Sequence, residues 1–292
     1  SLFIAPTAFV DAGAKSGAAG LWLLDPRNIN IANFGGTITP TTIVNTLNRG
    51  TNVTINTSSG TGGNGDITLS NSINQTGGGS ASLTLTGRKF SRLNNSTISM
   101  NSSGALTFNL NAVNAQRVAP TSSIQAAHDA IGNVVGARRI NLFAPTTGTR
   151  TVTFSGATLN LSKNVTITGG RGVTLSGGGT RRVVNITGGK VTLTSLRISG
   201  GSATQGGGIF IGPGATVSLR NSRVSGNTAT SGGGIFNSGN LSVSTSTVSG
   251  NSASNGGGIH NSGTASLTRI SISGNRASNG GGIFNTRSLT IA

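Results

Sequence analysis

The chain lacks cysteine, tyrosine and glutamate altogether, and carries one Trp, one Met and six Pro in 292 residues. Each absence closes a class. Without Cys there is no disulfide-stapled scaffold and no zinc–thiolate site. Long helical proteins place Glu, Lys and Arg on their exposed faces, and four Asp with no Glu cannot furnish them. Scarce Pro, and Gly that follows no three-residue period, exclude collagen. No stretch approaches 18 consecutive apolar residues, so no membrane-spanning helix is expected. The acidic residues are Asp11, Asp25, Asp66 and Asp129, which leaves residues 130–292 with none.

What is present is glycine, 48 residues, and Val, Ile and Leu alternating with Thr, Ser and Asn. Val53-Thr54-Ile55, Leu83-Thr84-Leu85, Val165-Thr166-Ile167 and Val191-Thr192-Leu193 are examples. Period-two alternation broken by Gly is the pattern of many short strands and tight turns. The charge is +17 and uneven: residues 1–120 hold seven Lys and Arg against three Asp, and residues 121–292 hold fourteen against one, a net of +13. A field of this sign attracts polyanions; the plainer reading is that it keeps a Ser/Thr/Asn-rich surface soluble.

The architecture follows from a repeat. Gly-Gly-Gly-Ile recurs at Gly206, Gly232, Gly256 and Gly280, at spacings of 26, 24 and 24. Each unit reads as three short strands, the first carrying Ile209, Ile235, Ile259 or Ile283. The second carries pairs such as Leu241 and Val243, and the third Val224, Val248 or Ile272. One such unit cannot bury its apolar face alone, but stacked copies create a continuous core with parallel pairing between coils. The fold expected is all-β, a right-handed parallel β-helix with coils about 4.8 Å apart. Leucine-rich repeats need a consensus that is missing, and propeller blades need about 40 residues.

Stacking aligns equal positions. Asn227, Asn251 and Asn275 form one expected column, and Asn237, Asn261 and Asn285 another. Buried Asn columns can hydrogen-bond from coil to coil; alternatively these Asn occupy left-handed turn positions, which they tolerate. Phe210, Phe236, His260 and Phe284 also align, which reads His260 as a member of an aromatic stack. The glycine triplets mark positive φ or close approach of coils.

The rest of the chain divides into an N-terminal segment 1–20, a β-helical segment 21–117 and the β-helix 121–292, with a short link at 116–120. Thr121-Ser122-Ser123 before Ile124, Ala127, Ala130 and Ile131 is an N-capped amphipathic pattern, the one helix expected, near 122–131, where it could cap an open β-helix end. Strand-like stretches follow at 139–143, 151–154, 164–168, 173–176, 183–187 and 191–199. With the Gly-Gly-Gly-Ile repeats, Val165-Thr166-Ile167-Thr168-Gly169-Gly170 and the Ser-Gly-Asn turns, residues 121–292 resemble the pectin-lyase-like right-handed β-helix superfamily. The likeness is greatest to its surface-protein branch related to chlamydial polymorphic outer-membrane proteins. Leu21-Trp22-Leu23-Leu24-Asp25-Pro26, Ile29, Ile31, Ile43 through Leu47, Thr51 to Ile55, Asn64-Gly65-Asp66-Ile67 and Leu83-Thr84-Leu85 resemble filamentous-haemagglutinin-type adhesins over residues 21–115. That resemblance implies coils of a large secreted or surface-anchored bacterial adhesin; the Asn-Pro-Asn motifs of the family's secretion domain are missing. The two segments are expected to be separate or stacked into one rod.

Chemistry finds little to use. Glycosidic hydrolysis typically needs two carboxylates at a fixed separation, and lyases of the resembling fold bind Ca²⁺ through clustered Asp. Residues 130–292 supply neither, so no catalytic, cofactor-binding or metal-binding residue is expected. Gly62-Gly63-Asn64-Gly65-Asp66 places its Asp one residue early for a calcium repeat and occurs once. His128 beside Asp129 reads as a solvated surface pair. Basic residues without interleaved aromatics argue against specific nucleic acid binding.

The function expected is therefore non-enzymatic: a bacterial surface or extracellular adhesin or structural fibre. The alternative is a module that binds polyanions such as acidic polysaccharide or cell-surface glycans. A polysaccharide-degrading enzyme would have to borrow its carboxylates. The sequence opens at Ser1 without Met, as after loss of a leader or inside a longer protein. It breaks off at Ala292 mid-repeat, so that either more coils follow or the end stacks on another copy as a filament.

Overall fold

A computed structural model of the chain describes residues 21–24, 28–57, 65–77, 79–111, 119–143, 152–170 and 172–292, and of these not the side chains of 21–24, 111, 119–121, 143 and 152–155. The expected N-terminal segment 1–20, Asp11, Asp25 and residues 116–118 of the expected link lie outside the described residues. Contacts divide the chain into two compact units: Ser1–Val113 with Ala126–Asn141, and Asn114–Gln125 with Leu142–Ala292.

Among the described residues every strand pairing is parallel, which makes each unit a stack of β-helical rungs. Parallel neighbours in one sheet are joined by right-handed connections, and the fold is the all-β parallel β-helix that the repeat implies. The reason is local. In the second unit, Val165/Ile167, Val191/Leu193, Val217/Leu219, Leu241/Val243 and Ala265/Leu267 pair position for position on successive rungs. All ten side chains are 0–3% exposed, while the Thr and Ser between them face outward. Each such Val, Leu or Ile contributes about 1.5–3 kcal/mol through removal from water. A one-residue slip of any strand would exchange the two faces, so burial pins the register.

A complete rung of the second unit holds four strands, not the three expected. One example is Ile235–Asn237, Asn240–Ser244, Thr247–Ser249 and Ser252–Asn255. The fourth is Ser-Ala-Ser-Asn, has no strongly apolar residue, and reads as turn; rung-to-rung pairing holds it in place. The expected single stretch 191–199 is two strands, Lys190–Thr194 and Arg197–Ser199. They are broken at Ser195, which has φ of +56°.

The first unit stacks rungs of unequal length. Leu21–Leu24, Asn52–Asn56, Leu83–Gly87 and Leu106–Asn111 form one column. Ile73–Gln75, Ile98–Met100 and Ile131–Val134 form another. Among the described residues two helices are present where one was expected. Helix α1 spans Pro40–Asn48, in the stretch that includes Ile43 and Leu47. Thr39 caps it by accepting from the Thr42 N–H at 3.3 Å, and Pro40 opens it at a position where no N–H is needed. Helix α2 spans Thr121–Ala130, one residue earlier than the sequence pattern places it, with Ile124, Ala127 and Ala130 buried.

Candidate functional site

The glycine triplets divide their labour. The first of each, Gly206, Gly232, Gly256 and Gly280, has φ between +59° and +65°. The second and third sit where rungs nearly touch: a Cβ on Gly233 would lie 2.4 Å from the Ser252 carbonyl oxygen and 2.7 Å from that of Gly257. Side chains are excluded from this corner, and the backbone turns sharply enough to seat the columns beside it.

Asn227, Asn251 and Asn275 are brought together. The Asn227 N–H and Nδ2 both donate to Asn251 Oδ1, at 3.0 and 2.9 Å, and Asn251 repeats both bonds to Asn275 at 3.0 Å. Each Nδ2 also reaches a carbonyl on the preceding rung, that of Ile198, Val224 or Val248. The left-handed backbone falls on the glycines before them, Gly226, Gly250 and Gly274, so of the two readings left open by the sequence these Asn serve the ladder. Asn237 Nδ2 donates to Asn261 Oδ1, and Asn261 Nδ2 to Asn285 Oδ1, each at 2.7 Å. Asn237 and Asn261 are wholly buried, where an unpaired amide would cost about 1–3 kcal/mol.

The aromatic column runs along one sheet of the second unit. Phe210 and Phe236 stack at 5.6 Å with planes 6° apart, and His260 follows at 4.8 Å from Phe236 and 5.0 Å from Phe284. Arg182 Cζ lies 4.7 Å from the Phe210 ring centroid, a cation–π arrangement. Burial pushes the His260 imidazole below its usual range, opposed in part by a hydrogen bond to the Asn255 backbone. His128 differs from its expectation as a solvated surface residue. It is 1% exposed, with Nδ1 3.0 Å from Asp129 Oδ1, and Arg92 lies 3.7 Å from the other oxygen of Asp129. The reason is its place in α2: His128 falls beside Ala127 on the buried side, and only the carboxylate reaches solvent.

Sequence reasoning missed the corner between the second and third strands of each rung. Three of its turn residues, Ser195, Asn221 and Thr245, have φ of +56°, +47° and +49°, and Arg269 repeats this at +51°. Below them runs a short serine ladder: the Leu196 N–H donates to Ser222 Oγ at 3.2 Å, and the Ser222 N–H to Ser246 Oγ at 3.1 Å. A cleft of about 580 Å³ crosses this corner and is lined by four successive rungs, from Gly169 to Thr247. Gly169 at its wall cannot carry a side chain, since a Cβ there would meet the Ser195 carbonyl oxygen at 2.4 Å. Arg197 and Arg223 project into it and are register partners on adjacent rungs. The signal was available. Thr174, Arg197, Arg223, Thr247 and Ser271 share one column, at nearly the spacing of the glycine triplets.

Among the described residues, no group of three or more His, Cys, Asp or Glu comes together, and no helix is long and apolar enough to cross a membrane. No protein-family model, curated protein or solved structure matches the chain.

Proposed function

We propose that the chain is a non-enzymatic structural and adhesive module, displayed on a bacterial surface or in an extracellular fibre. The observation that carries this reading is the in-register repetition of the second unit. Outward side chains recur as columns from rung to rung, supported from within by amide ladders. Such a surface is rigid and offers many equivalent weak contacts, whose combined strength grows by multivalency. The likeness of residues 21–115 to haemagglutinin-type adhesins, and of 121–292 to surface β-helix proteins, supports the same placement. The lack of any carboxylate in residues 130–292 deprives the second unit of the pair that glycosidic hydrolysis uses.

The test is retention without turnover. The immobilised protein is expected to hold cells or glycan-coated beads against flow, and to leave a panel of acidic and neutral polysaccharides uncleaved. Steady release of new sugar ends that tracks the protein through purification would overturn the non-enzymatic half. Failure to retain any surface would overturn the adhesive half.

A further inference from the structure

We propose that the cleft beside the Ser195–Asn221–Thr245 turns is a binding site for a linear anionic polysaccharide, held by Arg197 and Arg223. This deepens the adhesive reading by naming one site and one ligand class.

Parallel in-register pairing sets Arg197 and Arg223 on adjacent rungs about 4.8 Å apart, and like charges directly opposite each other across a sheet destabilise it. Arg220 stands on the near side of the same turn as Arg223, and its guanidinium Nε donates to Ser218 Oγ at 3.0 Å. Arg269 occupies the turn position two rungs further on. Elsewhere in the same column the chain uses Thr174, Thr247 and Ser271, so the fold does not require a cation there. No Asp or Glu exists between residues 130 and 292 to neutralise the group. Arg223 Nε likewise donates to Ser225 Oγ at 3.3 Å, but a hydroxyl leaves the charge uncompensated, and a cluster of exposed guanidinium groups without a carboxylate partner is complementary to an external anion.

Shape and lining select the anion. The cleft is lined by four rungs, a run of about 14 Å, which suits several units of a linear chain. Arginine forks donate two parallel N–H bonds to a carboxylate, and the same geometry suits a sulfate. The remaining walls present the hydroxyl or amide side chains of Ser195, Asn221, Thr245 and Thr247, partners for sugar hydroxyls. No aromatic ring lines the cleft, whereas single-stranded nucleic acids are held largely by base stacking on aromatics.

The experiment compares three forms of the full chain: wild type, Arg197→Thr/Arg223→Thr, and Arg276→Ser/Arg287→Ser. The last removes the same charge from exposed positions outside the cleft. Probes are heparin oligosaccharides, polygalacturonate and a single-stranded oligothymidylate, titrated at fixed low salt. Heparin against polygalacturonate separates sulfate from carboxylate recognition. The cleft variant is expected to lose at least tenfold in affinity for one of the two glycans, and the control pair less than threefold. Because Thr already fills the column at Thr174 and Thr247, the cleft variant should melt no lower than wild type, and the preferred glycan should raise the melting points of wild type and the control pair but not that of the cleft variant. If Arg197→Thr/Arg223→Thr melts lower, Arg223→Thr alone is measured against Arg276→Ser by the same comparison. Equal losses from both pairs, or tighter binding to oligothymidylate than to either glycan, overturns the proposal. Unchanged cell retention by the cleft variant sinks this site while leaving the adhesive reading. Heparin binding through the cleft by a protein that retains no cells does the reverse.

Discussion

The two units build the same kind of rung by different means. In the second unit, the strand partners Ile235, Ile259 and Ile283 recur every 24 residues, and the other three columns keep the same step. In the first, Val53 pairs with Leu83 but Leu83 with Leu106, and Ile29 pairs with Ile67 but Ile67 with Phe90. Equal rungs bring identical residues into contact, so one Asn can serve as acceptor to the Asn on one side and donor to the Asn on the other. Unequal rungs must each solve their own turn. There many polar contacts are single: Asn48 Oδ1 accepts from the Gly77 N–H at 3.0 Å, Asn52 Oδ1 from the Ser82 N–H at 2.8 Å, and Arg88 pairs with Asp66 at 3.2 Å; a relay from Asn141 to Asn109 to Thr86, at 2.9 and 3.0 Å, mixes residue types. Regularity thus turns individually modest hydrogen bonds into a shared network whose members depend on one another.

The largest test of that difference is Asn251→Leu against Asn48→Ala. Removing the Asn251 amide strips the Asn227 N–H of its acceptor and the Val224 carbonyl of a donor, in a site where Asn251 is 1% exposed. At about 1–3 kcal/mol for each buried group left unpaired, the expected loss is about 4 kcal/mol. Asn48→Ala removes one exposed bond, with an expected loss of about 1 kcal/mol. Amide hydrogen exchange at residues 227 and 77 reads the two units separately. Equal losses would mean that the ladder has no collective weight.

Legibility in the sequence follows the same divide. The 24-residue period exposed the fold and the alignment of columns because each repeat restates its own register. The Ser252–Asn255 strand was missed because it buries nearly nothing and is fixed by neighbours that sequence patterning does not see. Helix α1 was missed because Ile43 and Leu47 are as compatible with strand as with helix when read inside a β-rich chain, although Thr39-Pro40 is a start signal. The arginine cleft escaped because Arg197 and Arg223 are 26 positions apart, and the turn that joins their rungs to the cleft uses Ser195 and Thr245 as well as Asn221. Left-handed Ser and Thr carry no turn signal of their own; in-register stacking imposes that conformation.

A middle-sized effect is expected from glycine. Gly233→Ala forces a methyl group against backbone carbonyls at 2.4 and 2.7 Å on two rungs, and backbone in a stacked coil cannot step aside. A cost of about 3 kcal/mol is expected. Gly50→Ala follows α1 in the first unit, where φ is +82° and nothing lies within 4 Å; only backbone strain opposes it, about 1 kcal/mol. Thermal or urea midpoints with exchange at residues near each site would measure the ratio. Similar costs would mean that the first unit is packed as tightly at its turns as the second.

The smallest effect concerns the one place where the second unit breaks its own aromatic column. His260 stands between Phe236 and Phe284, and its Nδ1 is buried with no hydrogen-bond partner. Burial lowers its folded pKa below the unfolded value of 6.5. Above 6.5 the imidazole is neutral in both states and contributes no pH dependence. As pH falls through 6.5 the unfolded chain takes the proton first, so stability declines until the folded pKa is reached and is then level. His260→Phe restores the column and removes the titrating group. Its stability relative to wild type is expected to be flat above pH 7 and to rise as pH drops from 6.5 toward 5. The gain should be modest, because the ring is partly exposed and solvent screens the charge. Urea midpoints of the two proteins across that range give the difference directly, free of every group they share. A difference that shrinks on acidification would mean that the protonated ring is welcomed by the faces of Phe236 and Phe284, and that the column gains from a cation at this position.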